Sequence, residues 1–263
     1  MSLPDPMLAR DVAVLLRGAR RLAFLTGAGI SAESGLPTYR GVGGLYNEMT
    51  IDEGLPIEEI LSGETFARDP ALTWKYLFEI ERACRGAQPN AAHAIIAGLE
   101  RTHEVCVITQ NVDGFHVAAG SRDVIEIHGR LSELRCTGCA GTSTQRDFDA
   151  LDLPPRCGRC DGILRPEVVL FGEMLPLRAL ARYEAALRRG FDLVFAIGTT
   201  AGFPYIYEPV AMSAHAGVPT IEINPDRTPL SALVSHRFAC GAAAALRAIV
   251  DAAVPRPDTP REC

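Results

Sequence analysis

Five short, mostly apolar runs set the frame of this chain: residues 22–25, 105–109, 124–127, 193–197 and 218–223. Helical periodicity fills the intervals, at 7–20, 71–84, 90–100, 177–189, 208–216 and 242–253. Strands this short and this apolar are buried on both faces. They predict an α/β fold: a Rossmann-like, mainly parallel sheet with helices on both faces. In that architecture ligands sit beyond the carboxyl ends of the strands. A chain of 263 residues suffices for one large domain, alone or with a small satellite.

Polar clusters fall where such a fold needs them. The run 22–25 leads into Thr26 and then Gly27-Ala28-Gly29-Ile30-Ser31-Ala32, of the form G-x-G-x-x-A. Such a loop predicts a helix start whose N–H groups hold a pyrophosphate. Gly-Ala-Gly turns also arise from packing alone. The acidic residue that an ordinary dinucleotide fold carries about 20 residues on is missing here. Gln110, Asn111 and Asp113 follow the second run, His128 the third, Gly198, Thr199 and Thr200 the fourth, and Asn224 the fifth. Beside an amide and a carboxylate, a neutral His128 imidazole can take a proton from a hydroxyl near pH 7. Asn111 alternatively caps a helix over 112–119, and His93, His103, His116, His215 and His236 read as structural.

Four of the eight cysteines form two C-x-x-C pairs, Cys136/Cys139 and Cys157/Cys160. Four thiolates in two knuckles match a tetrahedral structural zinc site with no open position for catalysis. Gly138 and Gly158 suit the knuckles. The other cysteines are scattered, and paired thiols of this kind suit a reducing, cytoplasmic chain. No run approaches the ~20 apolar residues of a membrane span, and the amino terminus has no signal-peptide pattern. A net charge of −6 argues against a nucleic-acid binder while leaving room for a basic peptide.

Taken in order, these pieces resemble the sirtuin family. The matching segments are Gly27-Ala28-Gly29-Ile30-Ser31, Gly35-Leu36-Pro37-Thr38-Tyr39-Arg40-Gly41, Thr109-Gln110-Asn111-Val112-Asp113, Ile127-His128-Gly129, the cysteine pairs, Val168-Val169-Leu170-Phe171-Gly172-Glu173 and Gly198-Thr199-Thr200. The resemblance spans roughly residues 21–245. It implies a Rossmann-like NAD-binding domain (1–40, 104–130, 165–253) and a small domain. The small domain would combine a helical and cofactor-loop part (41–103) with a zinc-binding module (131–164), ahead of a disordered tail (254–263).

The resemblance also implies a reaction. Acyl-lysine oxygen attacks the ribose carbon bearing nicotinamide, nicotinamide leaves, and His128 serves as general base on the ribose hydroxyls. Water then releases free lysine and O-acyl-ADP-ribose. By the same resemblance Gly27, Ala28, Gly29, Ser31, Tyr39 and Arg40 contact NAD. Gln110, Asn111 and Asp113 shape the ribose and nicotinamide pocket. Asp113 either favours the developing positive charge or holds the nicotinamide amide. Gly198, Thr199 and Thr200 approach the phosphates, Asn224 the adenosine ribose and Cys240 the adenine. Val168, Val169, Leu170 and Phe171 would pair with an acyl-lysine peptide by strand addition.

This chain departs from the family at three places. Tyr39 stands where Phe is usual, Thr200 replaces the usual Ser, and Ala201–Tyr207 (AGFPYIY) replaces the common apolar-Tyr-Pro continuation. The family's desuccinylase-like class carries Tyr and, three residues later, Arg to bind an acyl carboxylate. Here Leu77 and Ile80 fall at those positions, or Tyr76 and Glu79 after a one-residue slip. A buried carboxylate without a cationic partner is costly, so the acyl group is expected to be neutral, with acetyl first. The competing readings are an NAD-dependent ADP-ribosyltransferase or glycohydrolase, and a non-catalytic NAD-binding regulator.

Overall fold

The structure, a computed structural model, describes residues 3–36 and 54–254. Tyr39, Arg40 and the tail from 255 onward lie outside the described residues. Helix α1 (Pro6–Gly18) leads to strand β1 (Arg21–Thr26). Helices α2 (Ile57–Ile60), α3 (Gly63–Arg68), α4 (Pro70–Cys84) and α5 (Ala91–Leu99) follow, then β2 (Glu104–Thr109), α6 (Phe115–Ala118) and β3 (Val124–Glu126). Strands β4 (Gly129–Cys136), β5 (Thr142–Thr144) and β6 (Leu164–Val168) come next. The chain closes with α7 (Leu177–Arg189), β7 (Leu193–Ile197), α8 (Pro204–His215), β8 (Thr220–Ile223), β9 (His236–Phe238) and α9 (Ala242–Ala253).

Among the described residues, six strands form one parallel sheet in the order β3-β2-β1-β7-β8-β9. This is the doubly wound order, and its topological switch lies between β1 and β7. Alternation along each strand feeds two cores. Leu22, Phe24, Leu193, Phe195 and Ile197 face α1, α5 and α9, while Ala23, Leu25, Val194 and Ala196 face α7 and α8. The Phe24 and Phe195 rings stack at 4.7 Å across the switch. Each such burial stabilises the fold by about 1.5–3 kcal/mol, so the strand pair that frames the site is held firmly.

Helix starts follow local chemistry. Asp5 caps α1 ahead of Pro6, and Asp69 caps α4 ahead of Pro70. Asn90 caps α5 as expected, accepting from the Ala92 N–H, while His93 accepts from the Asn90 N–H. Helix α8 starts at Pro204, four residues before the sequence-based start at 208. Pro209 inside α8 disguises that start, because proline usually opens a helix rather than continuing it.

A second, antiparallel sheet, β5-β4-β6, carries the cysteine knuckles. It shares a core with α4: Trp74 meets Phe148 edge-on at 5.4 Å and donates to the Leu164 carbonyl. Two segments pack across the sequence-based domain boundaries. Helix α5, within 41–103, buries Ala92 and Ile96 under the large sheet. Strand β6, within 165–253 for most of its length, pairs with β4 and places Val168 in the small-domain core.

Candidate active site

The glycine loop does not open an α-helix. Residues Ala28–Ile30 and Ala32–Ser34 form two short 3-10 turns. Its glycines answer first to packing. The Gly27 N–H donates to the Ile197 carbonyl and the Gly29 N–H to the Gly198 carbonyl. A Cβ on Gly29 would stand 2.6 Å from the Gly198 Cα, and one on Gly27 2.8 Å from the Gly198 oxygen. Gly198 has φ +58°, and a Cβ there would stand 2.4 Å from the Ile30 nitrogen. Three glycines therefore let the loops after β1 and β7 touch at the topological switch.

Side chains then knit the strand ends together. The Asn111 amide donates to the Gly27 carbonyl (3.1 Å) and to Ser31 Oγ (3.3 Å), and Ser31 Oγ donates to Asp113 Oδ2 (2.8 Å). Asn111 does not cap the following helix, which is the single turn Phe115–Ala118. Asp113 Oδ1 instead accepts from the Phe115 N–H at 2.9 Å. Burial raises the Asp113 pKa, and the Phe115 and Ser31 donors oppose the rise. Gln110 Nε2 donates to Thr199 Oγ1 (2.7 Å), and Asn224 Nδ2 donates to the Thr199 carbonyl (2.9 Å). Thr200, in the same loop, is exposed.

His128 follows β3. Its Nδ1 lies 3.0 Å from the Gln110 carbonyl, an atom that only accepts, so Nδ1 carries the hydrogen. Burial lowers its pKa to about 4, with the Gln110 carbonyl opposing. The imidazole is therefore neutral at pH 7, with its lone pair on Nε2. The His128 carbonyl accepts from the Val169 N–H, which ties the candidate substrate segment to the candidate base. Strand β6 stops at Val168. Beyond it the Leu170 N–H turns to the Glu173 carboxylate and the Phe171 N–H to the Leu61 carbonyl. The buried Arg165 braces this bend, pairing with Glu173 and donating to the Val168 carbonyl.

Other expected residues sit farther into the fold. Cys240 is buried in the core under the large sheet, and burial raises its thiol pKa. Leu77 is buried and Ile80 half-buried among apolar residues of the small domain. Tyr76 is also buried. Sequence reasoning passed over Phe203 and Tyr205, whose rings meet that of His128 at 5.8 Å each. The unusual AGFPYIY segment was the available signal. His116, expected to be structural, is buried, with its Nε2 3.0 Å from Thr26 Oγ1.

The four paired cysteines converge, with all Sγ atoms within 4.8 Å of one another. Tetrahedral zinc with ~2.3 Å bonds to sulfur needs this spacing, so the donor set fits one structural zinc ion. The Gly138 and Gly141 N–H groups donate to Cys136 and Cys139 Sγ. Gly158 has open space around it; the crowded glycine is Gly162, where a Cβ would stand 3.0 Å from Cys136 Sγ. The polar set of Ser31, Gln110, Asn111, Asp113 and Thr199 at the switch likewise suits the ribose and amide groups of NAD.

The Sir2 family model matches residues 27–203. The chain is 54% identical over 237 residues to the NAD-dependent protein deacylase 2 of Pseudomonas syringae pv. tomato, covering 89% of this chain and 95% of the relative. The NAD-dependent protein deacylase of Aquifex aeolicus is 38% identical over 232 residues, covering 88% and 94%. A solved Sir2 homologue in complex with NAD superposes with a TM-score of 0.81 at 37% identity, covering 93% of this chain and 94% of that one. A Sir2 complex with p53 peptide and NAD+ gives 0.79 at 28% identity, covering 92% and 96%. The fold and site define a doubly wound NAD-binding protein with a zinc module. The chain belongs to the Sir2 family.

Proposed function

We infer that this chain is an NAD-dependent protein-lysine deacylase and that acetyl is its main acyl group. NAD supplies the ribose carbon that takes the acyl oxygen as nicotinamide leaves. The observation that carries the reading is His128: a neutral imidazole with its Nε2 lone pair at the strand ends, one backbone bond from Val169. In that position it would accept a proton from a ribose hydroxyl. The Asn111–Ser31–Asp113 chain would hold the ribose and nicotinamide side, and Gln110 and Thr199 would fix the neighbouring loop. Tyr39 and Arg40 complete the cofactor set by the sirtuin resemblance.

The acyl-lysine peptide would lie along Val168, Val169, Leu170 and Phe171. Leu77 and Ile80 support the neutral acyl group: a carboxylate among those apolar neighbours would lose its water without gaining a cation. A four-thiolate zinc site needs reduced cysteines, which supports a cytoplasmic location.

The test incubates the protein with NAD and acetyl-, succinyl- and butyryl-lysine peptides and follows peptide mass and nicotinamide, with His128→Ala as control. NAD-dependent acetyl loss that vanishes in the variant supports the reading. Nicotinamide release without acyl loss replaces it with a transferase or glycohydrolase.

A further inference from the structure

His128 has two ring nitrogens, and both are committed. With hydrogen on Nδ1, the Nε2 lone pair faces the Tyr205 hydroxyl at 2.7 Å, so the phenol must be the donor. Burial pushes the Tyr205 pKa up to about 12, which keeps that hydrogen on oxygen at neutral pH. We propose that Tyr205 is a positioning residue that caps the proton-accepting nitrogen of His128 in the resting enzyme and yields that nitrogen to the ribose hydroxyl of NAD. The proposal rests on the reading of His128 as the base.

The cap is anchored on several sides. Tyr205 lies in the first turn of α8, four residues before Pro209. Proline has no N–H, so the Tyr205 carbonyl loses its helical partner. The Tyr183 hydroxyl, from α7, donates to that carbonyl instead at 2.8 Å. On the other side the Phe203 ring stacks on the Tyr205 ring at 5.2 Å and 11°. Both rings stand nearly perpendicular to the imidazole, at 83° and 87°. Backbone and ring are thus both held, and the hydroxyl is aimed at Nε2.

Among the described residues, the groups facing the imidazole are the Gln110 carbonyl from the end of β2, the Tyr205 hydroxyl from α8 and the Phe203 ring. Burial lowers its pKa and the Gln110 carbonyl opposes. A donor on the Nε2 lone pair stabilises the neutral ring and holds that pKa down. Removing the donor therefore raises it. Removal also ends the competition between Tyr205 and the ribose for one nitrogen.

The test is Tyr205→Phe in the zinc-loaded protein. With NAD varied at saturating acetyl-lysine peptide, KM for NAD should fall roughly threefold to tenfold, the span of one neutral hydrogen bond, and the change should fall on KM rather than kcat. The acid limb of kcat/KM should move to higher pH. In the free protein, an NMR titration of the His128 ring should show the same upward shift. Unchanged KM and unchanged titration would overturn the proposal, as would a downward shift.

Phe203→Leu keeps the hydroxyl but unstacks it, and should shift the titration in the same direction by less; it carries the test if Tyr205→Phe does not fold. The titration needs no turnover. A shifted His128 in a chain without NAD-dependent deacylation would therefore sink the functional reading and leave the cap standing.

Discussion

Gly29 and Gly198 touch: a Cβ on Gly29 would stand 2.6 Å from the Gly198 Cα. The residues lie at the ends of β1 and β7, the strands that flank the topological switch. Gly198 also has φ +58°. Gly198→Ala should therefore meet both left-handed strain and a backbone clash, destabilising the fold by roughly 2–5 kcal/mol. Urea unfolding would show it as a lower midpoint at constant slope. A midpoint within error of the parent would refute the contact.

Asn111 bridges the Gly27 carbonyl and Ser31 Oγ, and Ser31 in turn holds Asp113. Asn111→Ala should cost about 10²–10³ in kcat for deacetylation, in the range of lost preorganised donors. Ser31→Ala should cost less, because Asp113 keeps the Phe115 N–H. Steady-state kinetics with an acetyl-lysine peptide decides the order; a larger loss in Ser31→Ala would reverse the roles assigned to the two residues.

His93 and His116 are 0% and 2% exposed, with ring centroids 4.8 Å apart. Burial lowers their pKa values to about 4 and about 3, from 6.5. Above pH 6.5 both rings are neutral in the folded and the unfolded chain, so their burial costs nothing there. As pH drops from 6.5 toward 4 the unfolded chain binds protons that the native state refuses, and stability falls. Each histidine adds a slope of roughly 1.4 kcal/mol per pH unit within the window. Equilibrium unfolding at pH 7, 6, 5 and 4.5 should show the steep decline, and a flat profile would contradict it.

Zinc should be present at one ion per chain, measurable by elemental analysis. Cys136→Ser paired with Cys157→Ser should remove it and lower the melting temperature, because the cysteine knuckles close only around the ion. The Trp74–Phe148 contact lies in the same small domain, so tryptophan emission should red-shift on chelation. Full zinc content in the double variant would mean that other ligands hold the metal.

Acetyl-lysine should be turned over at least about 10² times better than succinyl-lysine at equal concentration, following the cost of an unpaired buried carboxylate near Leu77 and Ile80. Competition between the two peptides in one reaction, read by mass, measures the ratio directly. Comparable rates would remove α4 from the acyl pocket.

Much of this protein was legible in one dimension. The five apolar runs announced five strands of the large sheet, because double burial demands an unbroken apolar run; the edge strand β9, only partly buried, carries no such run. Asn90 announced its helix, because capping is local. The cysteine quartet announced its metal, because each C-x-x-C pair sets two ligands within one knuckle. Other features depend on which strands become neighbours, and periodicity does not encode that. Gly27 and Gly29 read as a phosphate loop, yet they meet Gly198 only because β7 lies beside β1. Cys240 is buried because α9 closes over the sheet. Tyr205 reaches His128 from 77 residues away, and Tyr183 and Phe203 aim it there. Local patterns determined the elements and the zinc ligands. The tertiary structure alone decided which loops touch, which nitrogen of His128 carries hydrogen and what covers the other, since those follow from contacts between residues far apart in the chain.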